Sequence, residues 1–374
     1  MRTATAPPSG AGIRNNRKRV MMDQEYTTYF RPEIDTMEGY TPGEQPKTAD
    51  IVKLNTNESP FPPAPGVKQA LLDFDCERLR RYPDPVSSAL REKFAAMNGY
   101  KTENIITGNG SDDLLTILTR CFTDPQRPMA CFDPSYSLYP TLAKLQGARC
   151  ITVPLTDTFD IPDNALDLAK GANLFFIARP NAPTGNLFAR EKIEKICAGF
   201  KGIVVIDEAY ADFSCDNCMD LVRKYANVVI TRTFSKSRSL AGLRFAFAVA
   251  HPKIIEGMMK MKDSYNVSML TQKLAMASLE DEAYFERCVT EIKQNRQHLA
   301  DELKKLGFEV LPSETNFLFV KPPVKAGEYF AELKHRNILV RYFNLPRTCN
   351  YVRITVGSAE ENAALLKATR EILS

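Results

Sequence analysis

Between about residues 104 and 249 the chain alternates short apolar runs with stretches in which apolar positions recur every three or four residues. The runs are 104–107, 129–132, 150–153, 174–177, 203–206, 228–230 and 245–247. Several, such as Leu174-Phe175-Phe176-Ile177 and Ile203-Val204-Val205-Ile206, are apolar throughout, the pattern of strands covered on both faces. The segments between them predict helices: over 112–121, Leu114, Leu115, Leu118 and Cys121 share one side, and a second helix spans 190–200. This alternation predicts an α/β fold on a doubly wound, mainly parallel sheet, with functional residues at the carboxyl ends of the strands.

After His251-Pro252 the pattern changes to a long helix over 283–306, strand character around 316–320, a helix over 328–335, strands over 338–342 and 351–356, and a closing helix from 359. These predict a second, smaller α+β domain. The expected division is a disordered leader (1–22), an N-terminal arm (23–55), a large domain (56–262) and a small C-terminal domain (263–374). A length of 374 residues agrees with two domains whose cores need no disulfide or metal staple.

Composition changes this picture in three places. The longest apolar run near the centre is Phe245-Ala246-Phe247-Ala248-Val249-Ala250, far short of the roughly 20 residues a spanning helix needs, so no membrane protein is expected. Nine cysteines at irregular spacing, with no secretory segment, predict reduced thiols and a cytoplasmic enzyme. The formal charge of +4 comes from Arg2, Arg14, Arg17, Lys18 and Arg19; the remainder holds 44 basic and 45 acidic residues. A general basic surface for nucleic acid is therefore not expected.

Candidate chemistry sits where the strands end. Gly108-Asn109-Gly110-Ser111-Asp112-Asp113 joins a strand to a helix, where backbone N–H groups can hold a phosphate; an ordinary turn reads equally well, and the dinucleotide fingerprint fails at Asp113. Asp207, directly after 203–206, either pairs with a buried cation or caps the next turn. Lys236 follows 228–230 by way of Thr231-Arg232-Thr233-Phe234-Ser235. Burial lowers a lysine's pKa and frees its amine to attack an aldehyde or ketone. Together, Lys236, Asp207, Tyr210, Gly110-Ser111, Thr233, Ser235 and Arg244 meet the needs of pyridoxal 5'-phosphate: an amine, an anion for the ring nitrogen, a donor for the ring oxygen and a phosphate cradle.

The ordered segments GNGSDD, DPSYSLY, PNAPTG, DEAYADF, RTFSKSRSLAGLR and RITVGSAEEN resemble those of the fold-type-I pyridoxal-phosphate aminotransferases over residues 31–374. The GYTPGEQ and LNTNESPFPP segments and the LAGLR tail resemble the histidinol-phosphate branch. The resemblance implies amino transfer between histidinol phosphate and 2-oxoglutarate, with Lys236 holding the cofactor, Asp207 on its ring nitrogen and Tyr210 on its ring oxygen. It further implies that Tyr136 stacks on the ring, and that Gly110, Ser111, Thr233, Ser235 and Arg244 meet the phosphate. Tyr82 of a second subunit would join them, hence a homodimer. Arg353 would bind the substrate carboxylate and Arg341 the substrate phosphate, with Tyr40, Asn57 and Tyr265 nearby. One departure stands out: PNNPTG is common in the family, and here Ala182 replaces the residue before the second proline. Either Asn181 reaches the site by a local shift or Tyr210 holds the ring oxygen largely alone.

The closest alternatives are a threonine-phosphate decarboxylase-like lyase and a broader aromatic amino acid aminotransferase on the same scaffold. A ligand sensor built on a cofactor domain is less favoured, because twenty leader residues cannot form a helix-turn-helix. Cys215-Asp216-Asn217-Cys218 has CxxC spacing but lacks a second pair or a nearby histidine, so no metal site is expected.

Overall fold

The structure is a computed structural model that describes residues 50–374 together with 29–31, 34, 35, 37, 39 and 43–45. The expected leader lies outside the described residues. The strands are, in chain order, β1 (Val52–Lys53), β2 (Ile105–Gly108), β3 (Met129–Asp133), β4 (Cys150–Pro154), β5 (Leu174–Ala178), β6 (Ile203–Asp207), β7 (Val228–Thr233), β8 (Ala246–Ala250), β9 (Glu309–Val310), β10 (Phe317–Lys321), β11 (Ile338–Leu339), β12 (Arg341–Tyr342) and β13 (Val352–Thr355).

The seven apolar runs all become strands of one sheet, in the order β2-β8-β7-β6-β5-β3-β4. The strands β4, β3, β5, β6 and β7 are mutually parallel, and β8 runs against both β7 and β2. As a result β2, β3, β5, β6 and β7 end along a single edge. The runs that are apolar throughout have a direct cause, since successive side chains enter two different cores. Phe175, Ile177, Val204, Ile206, Val228 and Ile230 pack on one face. Leu174, Phe176, Val205 and Val229 pack on the other, against Leu114, Leu115 and Leu118 of the helix Ser111–Phe122. At about 25 cal/mol per Å2 of apolar area, burial on both faces makes this sheet the main stabilising unit.

The C-terminal region forms a four-stranded antiparallel sheet, β12-β13-β10-β9. Its core joins Leu318, Val320 and Ile354 to Leu299, Leu303, Tyr329, Leu333 and Leu365 from the helices Glu282–Lys305, Ala326–His335 and Ala359–Leu373. The last helix starts at a capping box, in which Ser358 Oγ accepts from the Glu361 N–H (3.2 Å) and Glu361 Oε2 accepts from the Ser358 N–H (2.8 Å).

Two features depart from the sequence pattern. The expected single strand over 338–342 divides at buried Val340: β11 pairs in parallel with β1, whereas β12 joins β13. The strand β1, two residues long and without an apolar run, gives no periodic signal. Its pairing nevertheless steers the following residues. The Leu54 carbonyl accepts from Thr355 (2.9 Å), and residues 55–58 are thereby carried to the strand ends of the large sheet. The helix Met269–Leu279, just past the expected boundary at 262, packs through Leu274, Ala275 and Ala277 in the core of the seven-stranded sheet, beside Val67 of the helix Pro65–Leu72.

Candidate active site

Adjacent parallel strands β6 and β7 end at Asp207 and Thr233, and the chain turns immediately to Lys236. Asp207 is 5% exposed and points to the face covered by the helix Leu138–Leu145. Its Oδ2 accepts from the Tyr139 hydroxyl (2.9 Å) and its Oδ1 from the Thr231 hydroxyl (3.1 Å). Burial pushes its pKa up to about 6, against the lowering effect of those two bonds. A carboxyl so placed is ready to be ionised by a cationic N–H; it also accepts from the Ala209 backbone N–H, so it caps the turn that follows β6 as well as facing the pocket. Tyr139 was not singled out from the sequence. It lies three residues after Tyr136, and the two rings meet edge to face at 5.5 Å.

Lys236 Nζ donates to the Thr56 carbonyl (3.0 Å) and lies 5.9 Å from the centre of the Tyr210 ring. Its pKa is pushed down to about 8, chiefly by burial and then by Arg353, with Glu58 and Asp112 opposing and Arg244 adding to the fall. The neutral amine is therefore accessible near physiological pH. The Tyr210 hydroxyl accepts from Asn57 Nδ2 (2.9 Å), and its ring meets Phe317 edge to face at 5.1 Å.

The turn from β2 into the helix Ser111–Phe122 forms a cradle. Gly110 adopts φ +83, and a Cβ there would lie 2.5 Å from Arg244 Nη2, so only glycine permits this approach. Arg244 Nη2 donates to Asp112 Oδ2 (3.2 Å), and the Tyr136 hydroxyl donates to Asp112 Oδ1 (3.2 Å). Buried Thr233 and Ser235 are linked through their hydroxyls at 3.0 Å. A helix N-terminus, a guanidinium and clustered hydroxyls together make an anion site.

Across the pocket, Arg341 and Arg353 are cross-strand partners on β12 and β13. Both guanidinium groups lie over the Phe343 ring, at 5.4 and 5.5 Å, and Arg353 also lies 5.3 Å from the Phe317 ring. Two cations sharing one ring suit anionic ligands.

Not every expected residue joins this set. Tyr40 lies outside the described residues. Tyr82 and Tyr265 stack on each other at 4.4 Å, and Tyr82 is 78% exposed. Asn266, next to Tyr265, donates to Asp113 Oδ2 (3.0 Å) and so ties that segment to the cradle. Asn181 is fully buried and uses both amide hydrogens locally, on the Pro134 carbonyl (3.0 Å) and Thr184 Oγ1 (2.7 Å); its Oδ1 accepts from Ser135 (2.9 Å). It has no amide hydrogen left for the pocket. Of the CxxC pair, Cys215 is exposed and Cys218 buried, where burial pushes the thiol up to about 12.

A lysine amine and a buried carboxyl at adjacent strand ends, facing an anion cradle, define an enzyme that handles amines through a bound carbonyl group. The chain belongs to the aminotransferase class I and II family, whose model matches residues 49–368. It is 43% identical to "Histidinol-phosphate aminotransferase 1" of Trichormus variabilis over 93% of this chain and 99% of that relative. It is 47% identical to the histidinol-phosphate aminotransferase of Microcystis aeruginosa over 89% of this chain and 95% of that one. The fold matches histidinol-phosphate aminotransferase from Sinorhizobium meliloti, solved in complex with pyridoxal-5'-phosphate, with a TM-score of 0.84 at 24% identity over 92% of this chain and 97% of that one. The fold is thus that of the fold-type-I aminotransferases. No helix among the described residues is long and apolar enough to cross a membrane.

Proposed function

We propose that the chain is a pyridoxal-phosphate-dependent histidinol-phosphate aminotransferase. It would move an amino group between L-histidinol phosphate and 2-oxoglutarate, giving imidazole acetol phosphate and L-glutamate, as a step of histidine biosynthesis. The observation that carries this reading is the placement of buried Asp207 at the end of β6 and of Lys236 just past the end of adjacent β7, beside the Gly110 cradle and Arg244, the amine pushed down to about 8 and the acid up to about 6. Relatives of that name, 43% and 47% identical across nearly the whole chain, support the substrate.

The residues fit the cofactor. The Gly110 cradle, which any Cβ would fill, opens onto Arg244 and suits a phosphate; Asp207, buried and poised between charge states, suits a pyridinium N–H. When bound, pyridoxal phosphate supplies an aldehyde for an amine and a ring that accepts electrons as the substrate Cα–H bond breaks. The Ser111 amide, Thr233, Ser235 and Arg244 would hold the phosphate, Tyr136 would lie against the ring, and Tyr210 would donate to the ring oxygen. Lys236 would hold the cofactor aldehyde and, once freed by a substrate amine, would take the substrate Cα proton as general base and deliver it, as general acid, to the carbon that had carried the aldehyde. Arg353 meets the glutamate carboxylate and Arg341 the phosphate of the other substrate, because a planar fork pairs bidentately with either anion.

The reading includes a cytoplasmic homodimer in which Tyr82 of the partner subunit completes the phosphate site; its exposure in the single chain is in keeping with that. Glutamate added to the cofactor-loaded protein tests the reaction class. Loss of the cofactor's visible absorbance is expected, with full recovery on adding 2-oxoglutarate; no change on glutamate, with carbon dioxide released from a phosphorylated amino acid, would favour the lyase. Histidinol phosphate should turn over faster than phenylalanine or tyrosine with 2-oxoglutarate as acceptor.

A further inference from the structure

Tyr210 is flanked by unlike neighbours. On one side lies Ala182, 6% exposed and packed with Phe213, Phe317 and Val356 in a small apolar cluster, so that flank offers the pocket no polar group. On the other side lies Asn57, 1% exposed, whose Nδ2 donates to the Tyr210 hydroxyl oxygen at 2.9 Å.

Asn57 is fixed twice through its backbone and once through its side-chain oxygen. Its own N–H donates to Thr355 Oγ1 (3.0 Å), and the Thr355 hydroxyl donates back to Asn57 Oδ1 (3.1 Å). Its carbonyl accepts from Asn316 Nδ2 (3.0 Å). The residue itself sits at φ 58, a left-handed conformation that asparagine tolerates better than most. With Oδ1 committed to Thr355, the amide can present only its N–H to Tyr210. A phenol has one proton and a few acceptor sites. Once Asn57 occupies its oxygen as donor, the phenol's proton is left to point elsewhere.

We propose that Asn57 is a positioning residue that makes the Tyr210 hydroxyl a one-way donor into the cofactor pocket, so that Tyr210 serves the ring oxygen without help from residues 181 or 182. The inference rests on the reading of the site as a pyridoxal-phosphate site. It assigns Asn57 to the cofactor rather than to the substrate, and it gives Thr355 and Asn316 of the C-terminal region a role in setting that donor. Accepting a hydrogen bond also makes the phenol a stronger donor in turn.

The readout is the pH midpoint of the visible absorbance change of the bound cofactor, which needs no turnover. A donor to the ring oxygen stabilises the form in which that oxygen carries most negative charge, and so lowers the midpoint. Tyr210→Phe should raise it by roughly one to two units, the worth of a hydrogen bond to a charged oxygen. Asn57→Ala should raise it by about half a unit, since only the orientation of the donor is lost. The charged groups that act on this part of the pocket, Arg353, Asp207, Asp112 and Lys236, stay the same in both variants.

Two results separate positioning from general loosening. In the Tyr210→Phe background, Asn57→Ala should move the midpoint no further. Asn57→Asp keeps the shape and the acceptor toward Thr355 but turns the Tyr210 proton toward residue 57. It should raise the midpoint more than Asn57→Ala does, and this excess should shrink in the Tyr210→Phe background; Asn57→Asp also supplies the test if the alanine variant fails to fold. An unchanged midpoint in the folded Asn57 variants would overturn the proposal, as would a shift that persists undiminished without the Tyr210 hydroxyl. A raised KM with an unmoved midpoint would return Asn57 to the substrate. A wild-type protein with no cofactor absorbance would instead contradict the reading of the site itself.

Discussion

The two sides of the pocket are built on opposite principles. On the sheet side, Asp207, Tyr139, Thr231, Tyr210 and Asn57 are buried and joined by hydrogen bonds of 2.9–3.1 Å. On the opposite side, Arg341 and Arg353 rest on aromatic faces, Arg353 also donating to the Asn55 carbonyl (2.9 Å), and across the cradle Arg244 is held by a half-exposed Asp112 at 3.2 Å. Groups that must keep one geometry are locked by short hydrogen bonds in a low-dielectric setting, where each is worth more. Arg341 and Arg353, which the proposed function assigns to a phosphate in one half-reaction and a carboxylate in the other, are cations over rings. An exposed pair such as Arg244 with Asp112 is worth little by itself, on the order of 1 kcal/mol or less, and yields readily to a phosphate.

The contrast can be broken most severely at its centre. Lys236→Ala should reduce transamination by roughly three orders of magnitude or more, the usual scale for losing a covalent and proton-transfer group, with the bound cofactor's absorbance displaced; steady-state assay and spectrum check it together. On the rim, Arg353→Ala should raise KM for glutamate, and Arg341→Ala KM for histidinol phosphate, each by roughly 10- to 100-fold. Equal effects of both variants on both substrates would erase the division of labour. Gly110→Ala, which forces a Cβ against Arg244 at a left-handed position, should weaken cofactor binding about tenfold or more and also destabilise the cofactor-free protein, by roughly 1–3 kcal/mol of backbone strain.

A smaller effect sharpens the cost of the locked side. The Asp207 pKa is raised on folding, from 3.8 to about 6. Its contribution to the stability of the cofactor-free protein is therefore fully present below about pH 4 and lost as pH rises through about 6, a change on the order of 3 kcal/mol. Asp207→Asn should remove that pH dependence and melt higher than the wild type at pH 8 without cofactor, while binding pyridoxal phosphate more weakly. Identical melting profiles of the two proteins between pH 5 and 8 would show that Asp207 carries no such strain.

The two regions were also unequally legible in the sequence. The sheet side was readable because strongly apolar strands announce themselves; a polar residue directly after such a run, such as Asp207, must stand at the strand end, and Lys236 lies a short turn beyond the end of the next strand. What escaped were partners whose proximity is tertiary. Thr355 and Asn316 lie 298 and 259 residues from Asn57 and meet it where the chain after β1 runs beside the end of β13, the Leu54 carbonyl accepting from the Thr355 N–H. Tyr139 could have been found by its spacing from Tyr136, one helical turn away. Asn181 looked available from its place in PNAPTG, yet its own turn consumes its amide. Tyr82 and Tyr265 could not be placed by any local pattern, and their mutual stacking appears only in three dimensions.

Reduction of the cofactor-loaded protein with borohydride, followed by peptide mapping, tests the central claim most directly. The pyridoxyl group is expected on Lys236 alone, and prior addition of glutamate should prevent its attachment. Labelling of another lysine, or no labelling despite tight cofactor binding, would contradict the assignment of Lys236 and with it the proposed reaction.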